Sequence, residues 1–283
     1  MLNGCAYILT IDVGNTFIRF GLFAEDSAAA QERPLATCEI TTPSSITADE
    51  ARMRLVQVMG ALAADAGVPG VLVPAAAVLS CVVPALERPW KAALSRTCTG
   101  RVLTVGPGLK TGMPVHYDDP AEIGPDRIAD AVAARAVYGS PCIVIDLGTT
   151  TNIEVIDAHG TFVGGVIAPG LALGARSLSA AAARLPQVEP SAPTHVIGRN
   201  TREAMRSGVV LGEVARIDGM LDMVLAEMRA TKAAGEGDVP IVITGDDAEA
   251  LAALVGHSLT VDDALTLRGL AELYRINQKP RRV

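Results

Sequence analysis

Apolar residues fall along this chain in short β-prone runs separated by longer stretches of helical period. The runs at 6–11 and 17–23 predict two strands joined by a Gly14-Asn15-Thr16 turn, a hairpin, and 39–42 adds a third strand. Thr47-Ala48-Asp49-Glu50 is a capping box, so a helix opens there, runs to about Ala66 and ends at Gly67. A strand at 77–83, a helix at 85–95 and a short strand at 102–105 follow. From Pro141 the order repeats: strands at 142–146, 152–156 and 161–167, helices at 172–183 and 201–230, a strand at 241–244 and a helix from about Asp247. Between the copies, residues 128–137 combine strong helix formers with an apolar stripe and predict a packed connecting helix. Strand-strand-strand-helix-strand-helix, written twice, predicts an α/β chain of two like domains, 1–138 and 139–283. Hairpins make antiparallel pairs and crossovers make parallel ones, so each sheet is expected to be mixed. The duplication predicts that the two domains face each other across a cleft.

Composition narrows the function classes. With 49% hydrophobic and 19% charged residues in 283, a sizeable core is available and global disorder is excluded. A net charge of -7 leaves no basic footprint for nucleic acid, so any phosphate must be bound by local loops, helix N-termini and metal ions. The five cysteines, Cys5, Cys38, Cys81, Cys98 and Cys142, are odd in number and lack CxxC spacing. They read as small buried hydrophobes in a reducing compartment. No basic region precedes the N-terminal apolar run, and the most hydrophobic segment, 70–86, carries Pro74 and Pro84 and is too short to span a bilayer. No membrane association and a cytoplasmic setting are expected.

The candidate chemistry sits at the ends of the duplicated strands. Ile11-Asp12-Val13-Gly14-Asn15-Thr16 and Ile145-Asp146-Leu147-Gly148-Thr149-Thr150 are nearly one hexapeptide written twice. An Asp can merely cap a turn. A carboxylate at the end of a buried strand, however, needs a partner, and a Mg²⁺ ion carried by ATP phosphates supplies one. Gly14 lets backbone approach a phosphate whose oxygens accept from successive amides and from Asn15 and Thr16. The duplicate favours this reading over the cap. A second segment, Tyr117 to Arg127, brings Gly124 and Pro125 to a helix start with Asp126 and Arg127 in its first turn. Spacing alone leaves two readings open: ordinary dipole-favoured helix-start residues, or a general base at Asp126 with Arg127 as a fork for a substrate carboxylate. The glycines and proline of 164–170 allow close backbone approach, and Thr201 could simply cap the helix it opens.

Taken together these segments resemble type III pantothenate kinase, of the superfamily that includes acetate kinase, sugar kinases and actin. The matching stretches are IDVGNT at 11–16, SCVVP at 80–84, YDDPAEIGPDRIADA from Tyr117, IDLGTTT from Ile145, GGVIAPGL from Gly164, IGRNT at 197–201 and LTLRGLAELY near the C-terminus. The resemblance implies two ribonuclease-H-like domains, a homodimer, and transfer of the ATP γ-phosphate to the primary hydroxyl of pantothenate, the first step of coenzyme A synthesis. It implies Asp126 as the base, and Tyr117, Gly124, Pro125, Asp126, Arg127 and Thr201 as pantothenate contacts, with Thr201 reaching in from the dimer partner. Asp12, Val13, Gly14, Asn15, Thr16, Phe17, Ile18, Arg19 and Thr149 are implied at the ATP phosphates with Mg²⁺. Asp146 is implied as ligand of a monovalent cation, K⁺ or NH₄⁺.

Four residues depart from the family pattern: Phe17 where Asn is usual, Pro125 where a small residue is usual, Asn152 after the Thr run, and Asp246 where many members have a second Gly. Drift at Phe17 and Asp246 raises an alternative, a family member that has become an accessory regulator of transcription. The other alternative is a small-molecule kinase of the superfamily with a different acceptor. Asp12, Asp126, Arg127 and Asp146 are all intact, which favours the kinase.

Overall fold

The computed structural model describes residues 6–25 and 32–278; Cys5 lies outside them. The chain divides into two compact units, 1–137 with 264–283, and 138–263. In the first, strands β1 (Tyr7–Val13), β2 (Phe17–Ala24) and β3 (Ala36–Thr41) form an antiparallel meander. Helix α1 (Ala48–Asp65) crosses to β4 (Ala76–Cys81), which pairs parallel with β1, and α2 (Pro84–Thr97) crosses to β5 (Val102–Thr104). The sheet order is therefore β3-β2-β1-β4-β5. Helix α3 (Pro125–Tyr138) completes the segment.

The second unit repeats this plan. Strands β6 (Cys142–Leu147), β7 (Thr150–Ile156) and β8 (Phe162–Pro169) form the meander. Helices α4 (Leu171–Ala181), α5 (Thr201–Arg206) and α6 (Gly212–Ala230) lead to β9 (Ile241–Gly245), which pairs parallel with β6. After α7 (Ala248–Ala252), β10 (Thr260–Val261) closes the order β8-β7-β6-β9-β10. Both sheets are mixed and share one topology, as the duplicated pattern predicts. The expected single helix over 201–230 is interrupted by a π-helical turn, Ser207–Leu211, between α5 and α6. Such single turns inside helices are the common form of π structure.

Local signals explain much of this. The Thr47 hydroxyl accepts from Glu50 N at 3.2 Å while Glu50 Oε2 accepts from Thr47 N at 2.8 Å, the reciprocal capping box expected at α1. Strand β1 is buried on both faces. Its odd-numbered residues, with Ile18, Phe20 and Leu22, enter a core with Leu55, Leu62, Leu86 and Trp90 of α1 and α2. Phe20 and Trp90 meet edge to face with centroids 5.7 Å apart. The even-numbered residues, Asp12 among them, point to the opposite face because strand side chains alternate.

The C-terminal helix α8 (Leu265–Ile276) belongs to the first unit, although a division at 138/139 assigns it to the second half. It packs on β1, β2 and β4. A Cβ on Gly269 would stand 1.9 Å from the carbonyl oxygen of Ala129 on α3, so only glycine permits this crossing. Backbone cannot yield cheaply there. Gly269→Ala is expected to cost about 2–3 kcal/mol, and to lower the melting temperature by roughly 5–10 °C in calorimetry. An unchanged melting temperature would show that α8 is not held this closely.

Candidate active site

The first turn is built on the β1–β2 hairpin. Gly14 N donates to Phe17 O at 3.0 Å, Thr42 N donates to Thr16 O at 2.9 Å, and the Thr42 hydroxyl donates to Gly14 O at 2.7 Å. Three carbonyls of the turn are thus engaged from behind, and Asn15 and Thr16 are left exposed at its tip. Thr42 is a support that no local pattern indicated. Asp12 is the penultimate residue of β1 and is 8% exposed. Its Oδ1 accepts from the Ser80 hydroxyl at 2.8 Å. Burial, then repulsion from Asp126, push its carboxyl up to about 6, against the opposing pull of Ser80 and Arg19.

The remaining residues expected at the ATP phosphates divide by face. Val13 and Ile18 are 0% exposed and lie in the core cluster, so only their backbone is available to a ligand. Phe17 is half-buried, with the Arg19 guanidinium carbon 6.0 Å from its ring centroid. Arg19 Nε also pairs with Glu39 Oε2 at 3.0 Å. The Phe17 ring and the Glu39 carboxylate thus both stand beside the Arg19 cation of β2.

Asp126 stands in the first turn of α3, behind Pro125 at the first helical position, where the missing N–H is one the helix leaves unpaired anyway. Asp126 Oδ1 accepts from Arg127 N at 2.8 Å. Burial raises its carboxyl nonetheless, in spite of the amides and Arg127, which act to lower it. Raised pKa values at two neighbouring buried carboxylates are a mark of functional sites. Arg127 itself is 5% exposed, on the inner side of α3, and Tyr117 is half-buried. Beside Pro125 opens a cavity of about 400 Å³, lined by Cys81, Val105, Leu109, Thr111, Met113 and Ile128 among others. That is the size class of small-molecule sites.

A Cβ on Gly124 would stand 2.4 Å from Asp126 Oδ1. Glycine there lets the carboxylate fold back over the chain. Gly124→Ala is expected to push Asp126 aside and lower kcat by about 10- to 100-fold, because misplacement by about 1 Å costs rates of that order. Stability should stay level or rise by about 0.5 kcal/mol, since Ala restricts the unfolded chain. A fully active Gly124→Ala enzyme would contradict this placement.

In the second unit, Gly148 N donates to Thr150 O at 3.0 Å and Gly170 N to Thr149 O at 3.1 Å. A Cβ on Gly170 would be 2.2 Å from Gly148 O, so the end of β8 braces the loop by direct backbone contact. The Thr151 hydroxyl donates to Glu213 Oε1 at 2.6 Å; Arg216 bonds both Glu213 and Pro169 O. Asp146 is half-buried, in register with Asn152 on β7 and Thr244 on β9. Thr201 does not cap α5: Asn200 does, its Oδ1 accepting from Glu203 N at 3.0 Å, and Thr201 is exposed.

A sequence profile of the type III pantothenate kinases matches residues 8–223. The chain belongs to that family. Relatives named type III pantothenate kinase include one from Koribacter versatilis, 38% identical over 96% of this chain and 96% of its own length. Another, from Nocardia farcinica, is 41% identical over 97% of this chain and 99% of its own. Among solved structures, a Campylobacter jejuni protein assigned to the Baf family of transcriptional activators superposes with a TM-score of 0.57 at 18% identity, covering 95% of this chain and 98% of that one. Ethanolamine utilization protein EutJ from Carboxydothermus hydrogenoformans gives 0.53 at 16% identity, over 94% of this chain and 89% of that one. At such identities these structures speak for the fold alone.

At two of the expected departures from the family pattern, Asp246 and Pro125, the backbone carries no left-handed conformation. Asp246 does not take the left-handed conformation that favours glycine; Gly245 (φ 90°) and Asp247 (φ 57°) do. Pro125 fits its helix start. Burial pushes the thiols of Cys81 and Cys98 up to about 11, so they stay protonated at neutral pH. Among the described residues no helix is long and apolar enough to cross a membrane. Nor do three His, Cys, Asp or Glu side chains come together there as a metal cage. The buried Asp12 carboxylate, with the Ser80 hydroxyl on Oδ1, is a hard oxygen donor that fits a divalent cation taking its other ligands from water and substrate phosphates.

Proposed function

We propose that this chain transfers the γ-phosphate of ATP to the primary hydroxyl of pantothenate, giving 4'-phosphopantothenate, the entry to coenzyme A biosynthesis. The observation that carries the reading is the pairing of Asp12 and Asp126 in one unit. Two carboxylates, sited on a phosphate-type turn and on the first turn of α3, lie close enough for their charges to oppose each other. Full-length membership of the family supplies the acceptor.

Phosphoryl transfer needs alignment and charge neutralisation more than covalent help. Asp126 is assigned as the base: a carboxylate oxygen takes the hydroxyl proton as the hydroxyl oxygen bonds to the γ-phosphorus and the bond from that phosphorus to the bridging oxygen breaks, releasing ADP. Burial raises the pKa of Asp126, which makes its carboxylate a stronger base than a solvated Asp. Backbone amides of the Gly14 turn, with Asn15, Thr16 and Arg19, are assigned to the phosphates of ATP, and the family resemblance adds Thr149 as an ATP contact. Mg²⁺ bound with ATP supplies neutralisation of the phosphate charge, and Asp12 is the residue that would hold it through its bound waters. Tyr117, Gly124 to Arg127 and the cavity beside Pro125 are assigned to pantothenate. The exposed Thr201 is available to a second copy in a homodimer. Asp146 is assigned to K⁺ or NH₄⁺, and a cytoplasmic setting belongs to the same reading.

A coupled assay with pantothenate and MgATP in KCl, NH₄Cl and NaCl tests this. Turnover is expected in the first two salts and little in the third, with Asp146→Ala losing the difference. Absence of phosphopantothenate in every salt would sink the acceptor assignment; equal rates in all three would sink the cation alone.

A further inference from the structure

Four polar side chains stand in one transverse row across the first sheet. Register pairs Glu39 with Arg19, Arg19 with Asp12, and Asp12 with Ser80, over β3, β2, β1 and β4. All four lie on the face turned away from the core with α1 and α2, since their neighbours Cys38, Ile40, Ile18, Phe20, Ile11, Val13 and Leu79 fill that core. Ser80 interrupts an otherwise apolar strand, Ala-Ala-Val-Leu-Ser-Cys, and is 0% exposed. A buried hydroxyl without a partner is costly. Its bond is to Asp12 Oδ1 at 2.8 Å. The second sheet repeats the placement, with Thr244, 2% exposed, in register with Asp146 on the parallel neighbour β9. In each half, a buried hydroxyl stands beside the strand-end Asp on the adjoining parallel strand.

We propose that Ser80 is a positioning residue: its hydroxyl holds one oxygen of Asp12 so that the other stays directed to the cation that accompanies ATP. This rests on the kinase reading above. An Asp on a strand rotates about two side-chain bonds, and a single donor at Oδ1 selects one orientation before any ligand arrives. That preorganisation moves the ordering cost from binding to folding. A merely structural serine would satisfy the carboxylate without favouring either ligand.

The test compares wild type with Ser80→Ala, Ser80→Cys, which keeps the volume but donates weakly, and Ser80→Thr, which keeps the hydroxyl. Calorimetric binding of AMP-PNP across a Mg²⁺ series is measured beside kcat, KM for MgATP and KM for pantothenate. Ala and Cys are expected to weaken Mg-AMP-PNP binding about 10- to 100-fold, the range for a hydrogen bond to a charged group. KM for pantothenate should stay within about twofold, because no pantothenate contact is touched. Thr should restore binding to near wild type. Unchanged Mg-AMP-PNP binding in the Cys variant would overturn the proposal. So would a rise of both KM values together with lost thermal stability. If wild type failed to phosphorylate pantothenate, the kinase assignment would fall, while the binding series would still judge Ser80.

Discussion

Asp126→Asn is expected to lower kcat for phosphopantothenate formation by about 10²–10⁴, the range for loss of a general base. The fold should survive. The Asn amide oxygen replaces Oδ1 as acceptor for Arg127 N, a bond of 2.8 Å in the wild type, and the residue remains at a helix start that tolerates Asn. KM for MgATP should change little, while KM for pantothenate should rise less than kcat falls, since Asp126 is assigned both to the proton and to a pantothenate contact. The pH dependence has a definite sign. Burial raises the Asp126 carboxyl, so wild-type activity falls as pH drops through that raised value, at a higher pH than an exposed Asp would give. The Asn variant should lose the Asp126 part of this acid limb and keep the part that Asp12 sets. It should also let the Asp12 carboxyl fall, because Asp126 is the second cause of its rise. Near-normal turnover in Asp126→Asn would remove the residue from the chemistry.

The second large effect is expected at Asp12, where function and stability oppose each other. Lifting this carboxyl from its ordinary value to about 6 withholds roughly 3 kcal/mol of folding free energy at neutral pH. Between the unfolded value and about 6 the folded protein binds more protons than the unfolded chain, so stability falls as pH rises through that window. Asp12→Asn removes the penalty while its side-chain oxygen still accepts from Ser80. The ligand-free variant should be more stable than wild type at pH 7 by about 1–3 kcal/mol, with the gain vanishing near pH 4. Its MgATP-dependent turnover should fall by at least about 10²-fold, since the carboxylate is assigned to the cation's waters. A ligand-free variant less stable than wild type at pH 7, measured by urea titration, would show that Asp12 is a structural carboxylate. The same opposition accounts for an acid kept at the end of a buried strand.

Legibility in the sequence followed the range of the interactions. The hairpins, the α1 capping box and the start of α3 were readable because neighbouring residues decide them: alternation, a Thr-x-x-Glu spacing, Pro at a first turn. The segments that carry the catalytic candidates are contiguous, so their places at strand ends and at a helix start are readable, while spacing alone leaves their roles open. The break in the 201–230 helix was not, since Gly208 and Gly212 are compatible with both a continuous helix and a π turn. Thr201 looked like a cap and Asn200 is one, a difference of one residue that backbone geometry settles. The family resemblance implies Val13 and Ile18 at the ATP phosphates, but alternation sends their side chains to the core.

The sequence by itself determined the duplicated α/β plan, the two strand-end aspartates and the Gly-Pro-Asp-Arg helix start, because each is specified within a few residues. Tertiary structure alone decided what stands beside them. Ser80 reaches Asp12 across 68 positions, Thr42 pins the Gly14 turn across 28, and α8 returns to the first sheet through Gly269. Parallel register and helix crossings arise from packing between distant segments, and no local period encodes them.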